Sequence, residues 1–292
     1  MVGDNMQSRL LKYTNARGES ITFRNNSSFF IGSVEGLGDV DADNQSQKAP
    51  YQDGDSYIGS NLEPRFLSFQ VTIRGLNDTD ISEKRYQLAS LFNPKLGLGV
   101  FEYKYGDVIR TIVAVSEHIP KYGTGFENLG RRHQKAIVSL KCPNPYWRSI
   151  EITEEPAFEP LFQFPFEGEF QMGMQRDRRS IMNDGDSPAP LFVEFFGPAS
   201  NPKIINNTTG EYIKINQQLN ENERMLIDTT DGNKSVFFVD SNGNKRNVFN
   251  WIDLNSTFFK LEIGENDIEY TADSDIQGAV VNISYSKLYA AI

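Results

Sequence analysis

The sequence predicts a mainly β protein built from two domains, with one α-helix. Three observations carry that expectation. At 292 residues the chain exceeds the usual size of a single core, so two are expected. In RFLSFQVTIRG, Leu67, Phe69, Val71 and Ile73 alternate with Ser68, Gln70, Thr72 and Arg74, the period of two that turns one strand face into a core. Beyond Leu191, short apolar runs recur at close spacing between turn residues, the pattern of a β-sandwich or jelly roll.

Taken in order, the strand at 66–74 is followed by DISEKRYQLASLF, which reads as the helix. Asp80 is placed to cap its start, Glu83 completes a capping-box pattern, and Leu88, Leu91 and Phe92 supply an apolar stripe. Asn93 and Pro94 end it, because the residue before proline avoids the helical region. LGLGVFEYKYGDVIRTIVAV predicts a hairpin turning at Gly106 and Asp107, and KAIVSLKC (135–142) a further strand. KCPNPYWRSI then concentrates two prolines, Trp147 and the single cysteine, and marks the close of the first domain. The expected domains are therefore 1–148 and 149–292, with 149–190 including a Pro-rich connecting segment that has room for one edge hairpin. The strands expected beyond it are LFVEFF, KIIN, EYIKINQ, RMLIDT, KSVFFV, NVFNWI, FKLEI, NDIEYTA and AVVNISYS. Their separators are Thr209 with Gly210, Asp231 with Gly232, Asn242 with Gly243, and Gly264 to Asn266.

Charge divides the chain unevenly. Residues 1–148 carry 18 Lys and Arg against 16 Asp and Glu, whereas residues 149–292 carry 11 against 23. A net charge of -10 disfavours nonspecific nucleic-acid binding, which depends on cations displacing phosphate counterions. One cysteine forms no internal disulfide, so packing must supply stability. No run of about 18 apolar residues occurs and the start lacks a signal-peptide pattern, so synthesis in a cytoplasm without membrane insertion is expected. Asn26, Asn77, Asn207 and Asn255 sit in glycosylation-like triplets that read as Asn-rich turns.

The candidate chemistry is thin. Cys142 follows a strand among prolines and aromatics, a context for a packed thiol and not for a thiolate nucleophile. His118 and His133 have no companion metal-ligand motif and read as ordinary polar residues. GFENLGRR (125–132) imitates a phosphate-binding loop, but Arg131 and Arg132 replace its lysine and hydroxyl and a strand follows instead of a helix. It reads as a long flexible excursion. Arg176, Arg178 and Arg179 form a small basic knot after Met172 and Met174, suited to salt bridges or a partner. DSNGN (240–244) has the acidic spacing of a calcium loop, but Lys245 occupies the obligatory glycine position, so a hairpin turn is expected. Glu167 and Glu169 could flank a glycosidic bond, and Trp251 among tyrosines could stack on a sugar. No residue is assigned a catalytic, cofactor-binding or metal-binding role.

The order of landmarks carries further. LLKYTNARGESITF, GSVEGLGDV, YQDGDSYIGSNLEPRFLSFQVTIRG, the Arg85 helix ending in Phe92-Asn93-Pro94 and the closing CPNPYW resemble the distal tail protein family of long-tailed (siphovirus-type) bacteriophages and prophages. NDGDSPAPLFVEFFG, IINNTTGEYIKI, MLIDTTDGNKSVFF and AVVNISYSKLY resemble its C-terminal domain. The resemblance implies an N-terminal β-sandwich or barrel-like ring domain and a galectin-like C-terminal β-sandwich. It implies a non-enzymatic building block of the tail tip or baseplate, a homohexameric ring joining the tail tube to the tail-tip protein and, in many phages, to receptor-binding proteins. The 121–132 loop and exposed strand edges are the expected subunit contacts. A carbohydrate-binding accessory role in adsorption to the host wall is the alternative, with a wall hydrolase ranked last.

Overall fold

A computed structural model describes residues 9–24, 26–154, 177–273 and 280–292. Two compact units emerge: residues up to Ile150 together with Tyr289–Ile292, and Glu151–Leu288.

The first unit runs β1 (Leu10–Thr14), β2 (Ser20–Phe23), β3 (Phe29–Glu35), β4 (Ala42–Gln47), β5 (Ser56–Leu62) and β6 (Arg65–Arg74), then α1 (Asp78–Leu91). After the helix come β7 (Gly99–Tyr105), β8 (Val108–Ser116), β9 (Lys121–Tyr122), β10 (Leu129–Gly130), β11 (His133–Cys142) and β12 (Trp147–Arg148). The main sheet path is β2-β1-β7-β8-β11-β6-β3. At its centre β6 and β11 pair antiparallel over their full length, from Arg65 opposite Cys142 to Arg74 opposite His133. The alternation legible in β6 is realised: Leu67, Phe69, Val71 and Ile73 are buried and face the same core as Ala136, Val138, Leu140 and Cys142 of β11. The β7–β8 hairpin turns at Gly106 and Asp107 as expected, with Gly106 at the positive φ that the first position of a type II′ turn demands.

The helix forms where the sequence places it, but its cap is different. Asn77 is the N-cap: its side chain accepts the Asp80 N–H at 2.9 Å, while Asp80 accepts the Leu76 N–H at 2.8 Å and pairs with Lys84. No reciprocal box to the cap's own N–H is formed: Asp80 binds the N–H of Leu76, one residue before the cap, and Glu83 takes no part; an Asn three residues earlier reaches a free N–H of the first turn that Asp80, already inside the helix, cannot cap. Phe92 closes the other end and stacks on Tyr13 with ring centroids 4.6 Å apart.

The 121–132 excursion is no flexible loop. The outer edge of β11 is covered in succession by β10, β9 and the end of β8. Gln134, buried on the inner face, donates to the carbonyls of Gly123, Asn128 and Lys135, so the chain is tied back by groups that would otherwise lack partners.

Arg65 is the largest surprise of the first unit. It is only 1% exposed, and its guanidinium donates to the carbonyls of Pro145 (2.8 Å), Gly36 (2.8 Å), Asp39 (2.9 Å) and Ala290. Its plane lies over Trp147, whose indole N–H donates to Leu37 O at 3.0 Å. Gly36 is required here: it holds φ +85°, and a Cβ would fall 1.8 Å from the Phe66 carbonyl oxygen. The closing strand β25 (Leu288–Tyr289, numbered after the strands of the second unit) pairs with β12.

The second unit contains β13 (Ile152–Glu154), β14 (Asp177–Asn183), β15 (Leu191–Phe196), β16 (Ala199–Ser200), β17 (Lys203–Asn206) and β18 (Glu211–Lys214). It continues with β19 (Gln218–Leu219), β20 (Arg224–Asp228), β21 (Ser235–Val239), β22 (Lys245–Asn247), β23 (Gly264–Thr271) and β24 (Val280–Tyr285). One sheet runs β13-β24-β15-β20-β21-β22 and the other β14-β23-β17-β18. Val193, Met225, Val236 and Ile283 of the first and Ile181, Ile204, Ile213 and Ile268 of the second meet in one core, which makes this unit a β-sandwich.

Three expectations here are corrected. NVFNWI is not a strand: Asn247 Oδ1 accepts the Phe249 N–H and the chain coils into a 3₁₀ turn over Phe249–Trp251. FKLEI lies outside any strand, with Leu261 held to Ala189 by an isolated bridge. Gly264 to Asn266 begins β23 and does not separate strands; buried Asn266 donates to the Glu262 and Gly264 carbonyls, so its side chain makes the turn while its backbone continues the ladder. Of the expected connecting segment, 155–176 lies outside the described residues, while 177–183 is the full strand β14.

Replacing Arg65 with leucine strands several carbonyls in an apolar site and is expected to cost about 2–4 kcal/mol. Urea unfolding followed through the fluorescence of a Trp251→Phe background, which leaves Trp147 as the reporter, measures it; an unchanged midpoint would contradict the clasp. Asn77→Ala is expected to cost about 1 kcal/mol by the loss of one cap, read on the same transition.

Candidate assembly surfaces

Among the described residues, those singled out for chemistry disperse on folding. Cys142 is fully buried on the inner face of β11, and burial pushes its thiol up to about 12 despite the opposing Arg65 charge. His118 Nδ1 lies 3.0 Å from the Ile119 carbonyl, and His133 packs on Gly130. Among the described residues no group of three or more His, Cys, Asp or Glu is arranged to hold a metal ion. In 125–132 the N–H groups of Asn128 and Leu129 bind the Gly125 carbonyl, a closed turn rather than a cradle of outward donors.

Strand alternation splits the basic knot. Arg178 points out and chelates Asp267 through Nε at 2.7 and 2.8 Å. Arg179 points in, donating to the carbonyls of Glu154 and Val281 at 2.8 Å each and lying over Tyr270. Met172, Met174, Arg176, Glu167 and Glu169 lie outside the described residues. Asp240 uses its carboxylate on the Asn242 and Asn244 N–H groups and the Asn244 amide of its own turn, which holds that carboxylate below its usual range. Trp251 is no open sugar platform: the Arg246 guanidinium sits 5.0 Å from its ring and Phe238 meets it edge-on at 5.6 Å. Of the triplet asparagines, Asn77 caps α1, Asn207 donates to Glu269 and Asn255 lies in a turn on Asp253.

What the structure does present is a protruding arm. Among the described residues the β4–β5 hairpin pairs only with itself, and no residue from 41 to 62 is buried. Tyr51, Tyr57 and Ile58 stand 107%, 68% and 63% exposed. An isolated two-stranded hairpin is marginal in water, so an arm of this length with apolar residues displayed calls for a surface to lie on. Its charge specifies that surface. Residues 39–63 hold Asp39, Asp41, Asp43, Asp53, Asp55 and Glu63 against Lys48 alone, whereas the remainder of 1–148 carries 17 Lys and Arg against 10 Asp and Glu. Sequence reasoning missed the arm because its Asn, Gln and Ser composition gives no apolar alternation to read.

Family comparison places these features. A family model described as a phage tail protein RIFT-related domain matches residues 16–142. A second, described as a siphovirus-type tail component, C-terminal domain, matches residues 184–289. The chain belongs to the siphovirus-type distal tail family. Solved structures share this distal tail fold over nearly the whole chain. The crystal structure of the Dit protein of phage SPP1, described as a paradigm of the hub adsorption apparatus in phages infecting Gram-positive bacteria, has a TM-score of 0.66 at 13% identity and covers 95% of this chain and 98% of its own. Chains of the phage P2 baseplate in its activated conformation give TM-scores of 0.62 with Ca (12% identity, 97% and 99% covered) and 0.59 with Sr (11% identity, 94% and 97% covered). No match was found among curated proteins. As a distal tail protein the chain is a structural component of the phage tail, and the virion tail is its place.

The buried thiol gives a direct check of the first core. Cys142 is expected to resist a thiol reagent in the folded distal tail protein and to react stoichiometrically in urea; rapid native labelling would contradict its burial. Burial also pushes Tyr122 up to about 12. Both groups hold their protons more tightly folded than unfolded, so their contribution to stability is complete below the unfolded pKa values and is lost as pH rises through the folded ones. The urea midpoint is therefore expected to fall from about pH 9 upward, less steeply in Cys142→Ala.

Proposed function

We propose that this chain closes into a ring at the distal end of the tail, the first unit forming the ring and the galectin-like second unit carrying its outer attachments. The observation that supports this reading most is the arm. A closed rotational assembly needs a head-to-tail interface between two different patches of one subunit. An acidic hairpin with exposed tyrosines and a body of opposite charge are two such patches, and the like-charged arms of neighbouring copies would repel one another. A hexamer is the stoichiometry that the family resemblance implies.

In this role the protein acts through geometry, as a non-enzymatic coupling between the tail tube and the tail-tip protein, made in the host cytoplasm and assembled on those neighbours. The dispersal of the candidate side chains Cys142, His118 and His133 supports that reading. The pinned 121–132 segment leaves Phe126, 95% exposed, as a secondary contact point at its tip.

Replacing residues 44–60 with a short Gly-Ser turn is expected to convert rings of the purified protein into monomers, seen by light scattering and negative-stain imaging, with the Cys142 protection and Trp147 unfolding transition retained. Rings that persist in the shortened protein would overturn the role of the arm, and a full chain that stays monomeric when mixed with its tail-tube protein would overturn the ring itself.

A further inference from the structure

The six-stranded sheet of the second unit ends at β22, and among the described residues no strand pairs with its outer edge. The register shows which groups that edge offers. β21 and β22 pair antiparallel with Phe237 opposite Asn247, Phe238 opposite Arg246 and Val239 opposite Lys245. On either side, Val248 N–H binds Val236 O and Asp240 N–H binds Asn244 O. Hydrogen-bonded and non-bonded pairs alternate in an antiparallel ladder, so Arg246 is turned toward β21 while the N–H and C=O groups of Lys245 and Asn247 point outward. Those four groups, two residues apart, are the repeat that an added strand uses.

The side chains at this edge carry a second signal. The second half of the chain holds 23 acidic residues against 11 basic, and most of its described cations are matched to carboxylates, as Lys214, Arg224, Lys234, Lys260 and Lys287 are. Lys245 and Arg246 form no salt bridge among the described residues. Lys245 Nζ lies 4.0 Å from the Phe237 ring, and Arg246 spreads over Phe238 and Trp251 at 5.7 and 5.0 Å. The aromatic faces hold the two cations in place beside the open backbone. Lysine on an edge can also serve merely to deter pairing. Such a role calls for mobile charges that repel every incoming strand, not cations seated on rings. Pairing of two copies through this edge would set Lys245 and Arg246 against the same residues of the second copy, which like charge opposes.

We propose that β22 is the docking edge for an extended acidic segment of a different protein, which adds as a strand to the sheet with its backbone on Lys245 and Asn247 and with carboxylates on both of its faces, one meeting Lys245 on one side of the sheet and another meeting Arg246 on the opposite side. The proposal does not depend on ring formation and survives if the chain proves monomeric.

The test uses the full chain and the capped heptapeptide Val-Glu-Glu-Val-Glu-Glu-Val, whose paired glutamates put carboxylates on both faces of an added strand, with the matching Lys and Val peptide as control. The expected result is that amide exchange at Lys245 and Asn247 slows by about tenfold at saturation with the acidic peptide and not with the basic one. Asn247→Pro removes an outward donor without touching the β21 ladder and is expected to abolish the effect. The double variant K245E/R246E, which leaves the backbone intact, is expected to weaken binding at least about tenfold and to restore it for the basic peptide. Equal protection by both peptides, no protection by either, or unaltered binding in K245E/R246E would overturn the proposal. So would self-association of the chain that the same variant abolishes, since the occupant would then be a second copy.

Discussion

The guanidinium of Arg65, enclosed in the first unit and hydrogen-bonded to backbone carbonyls, is the contact on which the surrounding structure depends. Burial lowers its pKa, opposed by Cys142 and Asp39, and the full charge can be kept only if backbone carbonyls replace the lost water. Those carbonyls come from three remote stretches of chain: Gly36 and Asp39, Pro145, and Ala290. Each must be shaped to present its oxygen. Gly36 adopts a positive φ against the Phe66 carbonyl, CPNPYW bends so that Trp147 covers the cation, and the last residues return to the unit in which the chain began. A hydrophobic residue at the same place would bury more easily but would impose none of these positions.

Arg179 repeats the device in the second unit, with the carbonyls of Glu154 and Val281 in place of those around Arg65 and Tyr270 in place of Trp147. In both units the arginine occupies an inward position of a strand and ties segments that the ladder alone would leave loose. Rigid bodies of this kind suit a tail component whose neighbours must find its surfaces in fixed positions. Against that rigidity stand two features that the cores do not engage, the self-paired β4–β5 arm and the open edge of β22. Their opposite charges differentiate them: the arm is acidic on a basic half, the edge basic on an acidic half.

Legibility in the sequence followed the apolar pattern. β6, β8, β11 and most of the second-unit strands announced themselves because half their side chains enter a core. NVFNWI carries apolar residues too, but their spacing serves a 3₁₀ turn whose start Asn247 stabilises, and composition does not distinguish that from a strand. The helix cap slipped from Asn77 to Asp80 because both can accept an N–H, and only backbone conformation decides which stands outside the helix. The 121–132 segment looked mobile since its Gly and Asn residues lack apolar partners. Gln134, polar and therefore discounted as a core residue, is what fastens it.

The sequence by itself determined the fold class, the one helix, the central strands and, through the order of its landmarks, the kinship with distal tail proteins, because periodic burial leaves a local imprint on residue type. Only the tertiary structure decided where Arg65 and Arg179 point, which polar residues lie inside, how far the hairpin at 42–62 stands from any core and which backbone groups β22 leaves open. Those outcomes depend on carbonyls and strands that are brought together from as far as 225 residues apart, and a buried cation or an unpaired edge has no signature in its own neighbours along the chain.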